Sequence, residues 1–362
     1  MANNKLLSYN PKLDALRAIA VILVLFHHWV PHNKILNFLP NGMMGVTLFF
    51  VLSGYLITSI LFQSKSFSSE PINRYKIIRI FMIRRILRIF PIYYITLLVL
   101  SFFDFEFLNN YWMYLVTYTQ NFLFHRLNEW PGEFSHLWTL AIEEQYYLFW
   151  PLLVVFTPAK KYFKLILTMI VVSILSKVAF HFIFPESSMN NILLLPSFFA
   201  FGVGSLLAFF KLKSIDINKY KHSYHIFLLS IAAFLVSVYF KSIWIQTELF
   251  VIISGFVIYF LTLRNTKFIE YLFRLRPLIF IGKISYGLYL YHNFVIVLYN
   301  YLSKKYDTIL IFNSIKIFPS IEDPLQRLLW MTFILLVISV SSYFLIEKPI
   351  NKLKTNFKYS DD

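Results

Sequence analysis

Apolar residues run through this chain in stretches long enough to cross a bilayer. About 20 residues of helix span the ~30 Å hydrocarbon layer. Runs of that order lie near residues 14–31, 43–63, 86–104, 134–156, 163–184, 191–210, 224–240, 243–263, 277–300 and 326–346. The pattern predicts an all-α, polytopic membrane protein with about ten transmembrane helices. The stretch 111–125 is apolar but short and rich in tyrosine, so it is expected to lie at the interface or re-enter rather than cross. No internal repeat or low-complexity linker interrupts the series. A single integral-membrane domain over 1–362, without an appended soluble domain, is expected, because the tail after Glu347 is too short to fold alone. The first run lacks a small-residue cleavage site and is expected to stay as a span.

Composition agrees with the pattern and charge orients it. The 362 residues are 58% hydrophobic and only 14% charged, where a soluble domain carries about 25% charged residues. A net charge of +16 would suit nucleic acid if it formed one patch. Here it is dispersed in short clusters between the apolar runs. With the N-terminus in the cytoplasm, 24 of the 34 lysines and arginines fall on the cytosolic side and 7 outside. Cytosolic loops of membrane proteins carry this excess, so both termini are placed inside and the basic charge is assigned to membrane lipids rather than nucleic acid. The chain has no cysteine, which excludes disulfides, thiolate metal sites and a cysteine nucleophile.

Several polar residues lie inside the apolar runs, where ionisable groups are costly and mark function by default. In the first run, Arg17 and His28 are 11 residues apart, almost three helical turns. They share a face, while His27 points about 80° away. Snorkelling of Arg17 and an interior hydrogen bond on His28 would be the plain structural alternative. Ser53-Gly54 sits mid-run in the second, either as a packing notch or with Ser53 in a binding role. Arg84, Arg85 and Arg88 stand at the cytoplasmic start of the third, as a basic flank or as a phosphate site using bidentate guanidinium bonds. Glu143 and Glu144 lie within the fourth run. Glu143 is at a depth where it can orient the His28 imidazole, or else pair with an intramembrane cation. Ser285, Tyr289 and His292 form one stripe with Tyr286 beside it. No metal-ligand spacing, Gly-rich phosphate loop or GxSxG is present.

The segments LDALRAIAVILVLFHH, GVTLFFVLSGYLI, IRRILRIFPIYY, LWTLAIEEQYYLFWP, ISYGLYLYH and IEKP follow one another in this order. In this the chain resembles the membrane-bound acyltransferase-3 family, which includes O-antigen and exopolysaccharide O-acetyltransferases. The resemblance covers about residues 10–350. It implies a bacterial cytoplasmic (inner) membrane enzyme that moves an acyl group, most plausibly acetyl, from cytosolic acyl-CoA to a hydroxyl of a cell-surface carbohydrate or its lipid-linked precursor. It implies no metal. It gives His28, Glu143 and Arg17 the acyl-transfer chemistry. Arg85 and Arg88, with Arg84 and Ser53, would hold the donor, and Tyr286 and His292 the acceptor. Thr47 stands where many members carry aspartate, which puts any role of that aspartate in doubt. A proton-coupled exporter of polysaccharide or lipid-linked sugar would also explain intramembrane charge, but should show inverted repeats.

Overall fold

The computed structural model describes residues 9–31, 33–35, 37–66, 73–103, 105–216, 222–263, 271–305, 310–311, 315–316 and 324–359. Every predicted apolar run is helical. The helices are α1 Pro11–Trp29, α2 Asn41–Ser66, α3 Arg74–Leu100, α4 Glu106–Val116, α5 Gln120–Leu127, α6 Trp138–Phe156 and α7 Tyr162–Ile183. There follow α8 Leu194–Leu212, α9 Ser223–Tyr239, α10 Ile243–Leu263, α11 Arg276–Lys283, α12 Ser285–Lys305, α13 Pro324–Ser342 and α14 Lys348–Lys352. Leu310–Ile311 and Ile315–Lys316 form a short antiparallel pair.

Local chemistry explains several boundaries. Asn10 caps α1 by accepting from the Lys12 amide at 3.1 Å, with Pro11 in the first turn, and Asn73 caps α3 through the Lys76 amide at 3.0 Å. Because α3 starts at Arg74, Arg84 to Arg88 lie about three turns inside it rather than at its beginning. The ninth predicted run is not one helix. It breaks at Ile284 into α11 and α12. The tenth ends in a π-helical turn, Tyr343–Glu347, before α14. The tyrosine-rich stretch forms α4 and α5, both too short to cross, joined at Tyr118 with φ 53°.

Among the described residues, five helical segments are both long and apolar enough to cross a bilayer. The chain is an all-α membrane protein. α7 shows the reason on its surface, where Phe163, Leu167, Val171, Leu175 and Phe182 are all exposed. An apolar face of that size is stable against lipid and not against water.

α2 is the central element, packed on α1, α6, α8 and α10. Two glycines allow its close approach to α8. A Cβ on Gly54 would stand 2.2 Å from the Phe201 carbonyl oxygen, and one on Gly204 would stand 2.1 Å from that of Val51. Small residues make such crossings possible between membrane helices. One apolar cluster gathers around α2, α6, α8 and α10, and a second around α1, α3, α12 and α13. Phe49, Phe90 and Tyr286 touch both clusters, and the polar residues of the helices gather at this seam.

Candidate active site

A cavity opens at the seam, walled by α1, α2, α3, α6 and α12. Its polar lining includes Arg17, Ser53, Arg85, Arg88, Glu143 and Tyr286, together with Glu144, Ser285 and Tyr289, so nine of the residues singled out in the sequence converge in one place. Arg17 is held by its own helix, with Nη1 donating to Asp14 Oδ1 at 2.6 Å while Tyr9 donates to Asp14 Oδ2 at 2.7 Å. Ser53 donates to Glu143 Oε1 at 2.7 Å and lies 3.2 Å from the Tyr147 hydroxyl. The Ser53-Gly54 pair therefore divides its work: Gly54 makes the helix crossing and Ser53 faces the cavity.

The arginines differ in their anchorage. The Arg85 guanidinium lies over the Tyr147 ring at 5.3 Å and the Phe81 ring at 5.4 Å. Among the described residues, neither Arg85 nor Arg88 hydrogen-bonds a carboxylate, although Glu143 and Glu144 share the cavity lining with them. Arg84 is turned away. It donates to the Phe357 carbonyl at 2.9 Å and lies over the Tyr359 ring, which ties the C-terminal segment to α3. Arg84 therefore does not line the cavity with Arg85 and Arg88, because its guanidinium goes to the C-terminal segment.

His28 does not line the cavity. It belongs to a cluster of imidazoles beyond it. The His28 ring centroid is 5.0 Å from those of His27 and His292, and His292 is 4.7 Å from His136. The bonding partners fix two tautomers, because a carbonyl oxygen only accepts. His136 Nε2 lies 3.0 Å from the Leu290 oxygen and carries the proton, leaving Nδ1 to accept from Asn293 Nδ2 at 3.2 Å. His292 Nδ1 donates to the Tyr289 oxygen at 2.6 Å, so its Nε2 holds a bare lone pair. That atom is buried and has no hydrogen-bond partner among the described residues.

Thr139 and Tyr289 connect the two regions. Both line the cavity, their hydroxyls are 2.7 Å apart, and both reach the His136 carbonyl, at 3.0 and 3.2 Å. The expected Glu143–His28 contact is absent among the described residues, since Glu143 bonds Ser53 and lies beside Tyr147 while His28 packs on histidines. Thr139 and Tyr147 lie four residues before and after Glu143, so the helical face of that carboxylate already pointed to them. Nothing in the sequence signalled His136. Thr47, at the position of the family's aspartate, is buried in α2, where its hydroxyl lies 3.5 Å from the Met43 sulfur.

Known proteins align with this whole region. The family model described as "Acyltransferase domain" matches residues 10–348. Peptidoglycan O-acetyltransferase OatA of Listeria monocytogenes is 33% identical over 80% of this chain and 50% of its own length. O-acetyltransferase OatA of Staphylococcus aureus is 32% identical over 81% of this chain and 51% of its own. The putative peptidoglycan O-acetyltransferase YrhL of Bacillus subtilis is 31% identical over 80% and 49%. The chain thus spans about half the length of the curated relatives it matches. No solved structure matches it. With the match running from Asn10 to Lys348, through all five helices that wall the cavity, the chain belongs to the acyltransferase-3 family.

Proposed function

We propose that this protein is a membrane O-acyltransferase that takes an acyl group, acetyl in the first instance, from cytosolic acyl-CoA and places it on a hydroxyl of a cell-surface carbohydrate. The observation that carries this reading is the convergence of Arg17, Arg85, Arg88, Ser53 and Glu143 on one cavity, a layer away from His28. Two arginines that hydrogen-bond no carboxylate among the described residues suit the phosphates of a nucleotide-bearing donor, because guanidinium groups bind phosphate in a bidentate fork. The names of the relatives, which include peptidoglycan O-acetyltransferases, favour a cell-wall glycan as the acceptor over a soluble one. Ten crossings of the bacterial cytoplasmic membrane with both termini inside complete the proposal, on the strength of the lysine and arginine distribution.

In the proposed reaction the donor enters from the cytosol and its phosphates meet Arg85 and Arg88. Arg17, fixed by Asp14, lines the same cavity. The thioester extends toward the Thr139–Tyr289 layer. On the far side, His28 accepts the proton of the acceptor hydroxyl as its oxygen attacks the thioester carbon. The new C–O bond forms, the C–S bond breaks, and the leaving thiolate takes up a proton. Ser53 and Tyr147 hold Glu143 in the cavity wall, so its part is played on the donor side. Arg84 stays with the C-terminal segment.

Compositional analysis of surface glycans from cells with and without this chain tests the proposal. An ester-linked acyl group present only with the chain is expected, and identical glycans in both would overturn it.

A further inference from the structure

Two unsatisfied requirements meet in the histidine cluster. The first is the lone pair on His292 Nε2, which is buried without a donor. A buried acceptor without a partner costs about 1–3 kcal/mol, so an atom kept in that state awaits a donor. The second is His28. Among the described residues no hydrogen bond orients its ring, although a general base needs one nitrogen facing its substrate and the other held by an acceptor.

The surroundings leave one pairing. His136 is the other imidazole against His292, but both its nitrogens are engaged, by Leu290 and Asn293. Tyr289 meets the His292 Nδ1 side through its carbonyl, and its hydroxyl is taken by Thr139 and the His136 carbonyl. Trp29 bonds the main-chain oxygen of His292 and not the ring. His27 packs on His28, with its ring edge against Gly42. The ring centroids of His28 and His292 stand 5.0 Å apart. An N–H···N bond of about 3 Å between two imidazoles, with the two ring radii added, needs a separation of about 5 Å; the rings are tilted by 54° and do not make the bond in this arrangement, so rotation of the His28 ring, without translation, closes it.

We infer that His292 is the positioning residue for His28: as the unanchored His28 ring turns, its N–H closes on His292 Nε2, which fixes which His28 nitrogen is free to take the acceptor's proton. This rests on the acyl-transfer reading for its consequence, but the pairing itself does not. It gives His292 the orienting part that the sequence assigned to Glu143. When His28 takes up the hydroxyl proton, the same bond becomes charge-assisted and stronger, so its effect falls on the transfer step rather than on donor binding.

Two substitutions separate the nitrogens. His292→Asn keeps a donor near the position of Nδ1 for the Tyr289 carbonyl but removes the Nε2 lone pair. His292→Gln places an amide oxygen near Nε2 and restores an acceptor. Both leave the Trp29 bond, which uses the main chain. With the full chain in membranes, the Asn variant is expected to lose about 10–100-fold in kcat with an unchanged KM for acetyl-CoA, and the Gln variant to recover most of that loss. A second readout does not depend on activity. The rate at which diethyl pyrocarbonate modifies His28, followed by mass spectrometry, should fall in the Asn variant and return with Gln, because the His28 bond makes its outer nitrogen more nucleophilic. Equal His28 modification in wild type, Asn and Gln variants would overturn the pairing. Absence of acyl transfer from the wild type, with the modification pattern as expected, would overturn the enzymatic reading and leave the pairing standing.

Discussion

Replacing Gly282 with alanine should damage the site from outside it. Gly282 lies in α11, near the break at Ile284, and meets α1 at Asp14. A Cβ there would stand 1.9 Å from the Asp14 carbonyl oxygen, 2.4 Å from its carbonyl carbon and 2.9 Å from its Cα. All three atoms are main chain, so no rotamer change relieves the clash. Ordinary carbon contacts begin near 3.5 Å, so α1 and α11 must separate by about 1.5 Å. Overpacking of this kind costs about 1–3 kcal/mol. The larger effect is on geometry, because Asp14 is the residue that holds Arg17 in the cavity. A displacement of about 1 Å in a positioning element lowers rates about 100-fold. Acyl transfer per mole of membrane-inserted protein should therefore fall about 100-fold in Gly282→Ala. Gly287→Ala is the control. Its Cβ would meet side-chain atoms of Tyr291, Ser339 and Glu347 at 3.4, 3.5 and 3.6 Å, which is ordinary contact. Its activity should stay near wild type, with a small gain in helix stability of about 0.5–1 kcal/mol. Wild-type activity in Gly282→Ala, or an equal loss in both variants, would refute the reasoning.

Other variants probe the site directly. Ser53→Ala removes the donor to Glu143 at 2.7 Å, a loss of about 1.5–3 kcal/mol for a bond to a carboxylate, and steady-state kinetics should show transfer slowed about 10–100-fold. Tyr289→Phe deletes the hydroxyl between Thr139 and the His136 carbonyl. At about 1 kcal/mol for a neutral bond, kcat should fall severalfold with the donor KM kept. Arg85→Gln should raise the donor KM at least tenfold, at about 1.4 kcal/mol per decade. Arg84→Gln should leave that KM unchanged but make the segment after Leu353 more sensitive to protease, since its bond to Phe357 is gone.

Much of the helical plan was legible in the sequence, because apolar runs of membrane length have few other outcomes. The break at Ile284 was not. It falls inside an apolar stretch, and its surroundings depend on Gly282 meeting a helix some 270 positions earlier in the chain. The site divides in the same manner. Arg17, Ser53, Arg85, Arg88, Glu143 and Tyr286 do share one cavity, as charged and polar groups in a bilayer must seek each other. Phase within one helix also held, as Thr139, Glu143 and Tyr147 all face that cavity at four-residue intervals. Pairing between helices was not readable. Depth along the span put Glu143 within reach of His28, whereas the rotation of α6 turns it to Ser53, and His28 packs on His292 of α12, with His136 behind that ring. Arg84 failed for a different reason: a carbonyl near the end of the chain competes for its guanidinium.

Two roles stand at the centre: the arginine cavity binds the donor, and His28, beyond Tyr289, takes the proton of the acceptor hydroxyl. Vesicles with the cytosolic face outward, supplied with acetyl-labelled acetyl-CoA and containing either wild type or His28→Ala, test them most directly. The account predicts labelled ester on the surface carbohydrate with wild type alone and equal donor binding by both proteins. Labelled ester formed by His28→Ala at the wild-type rate would contradict it.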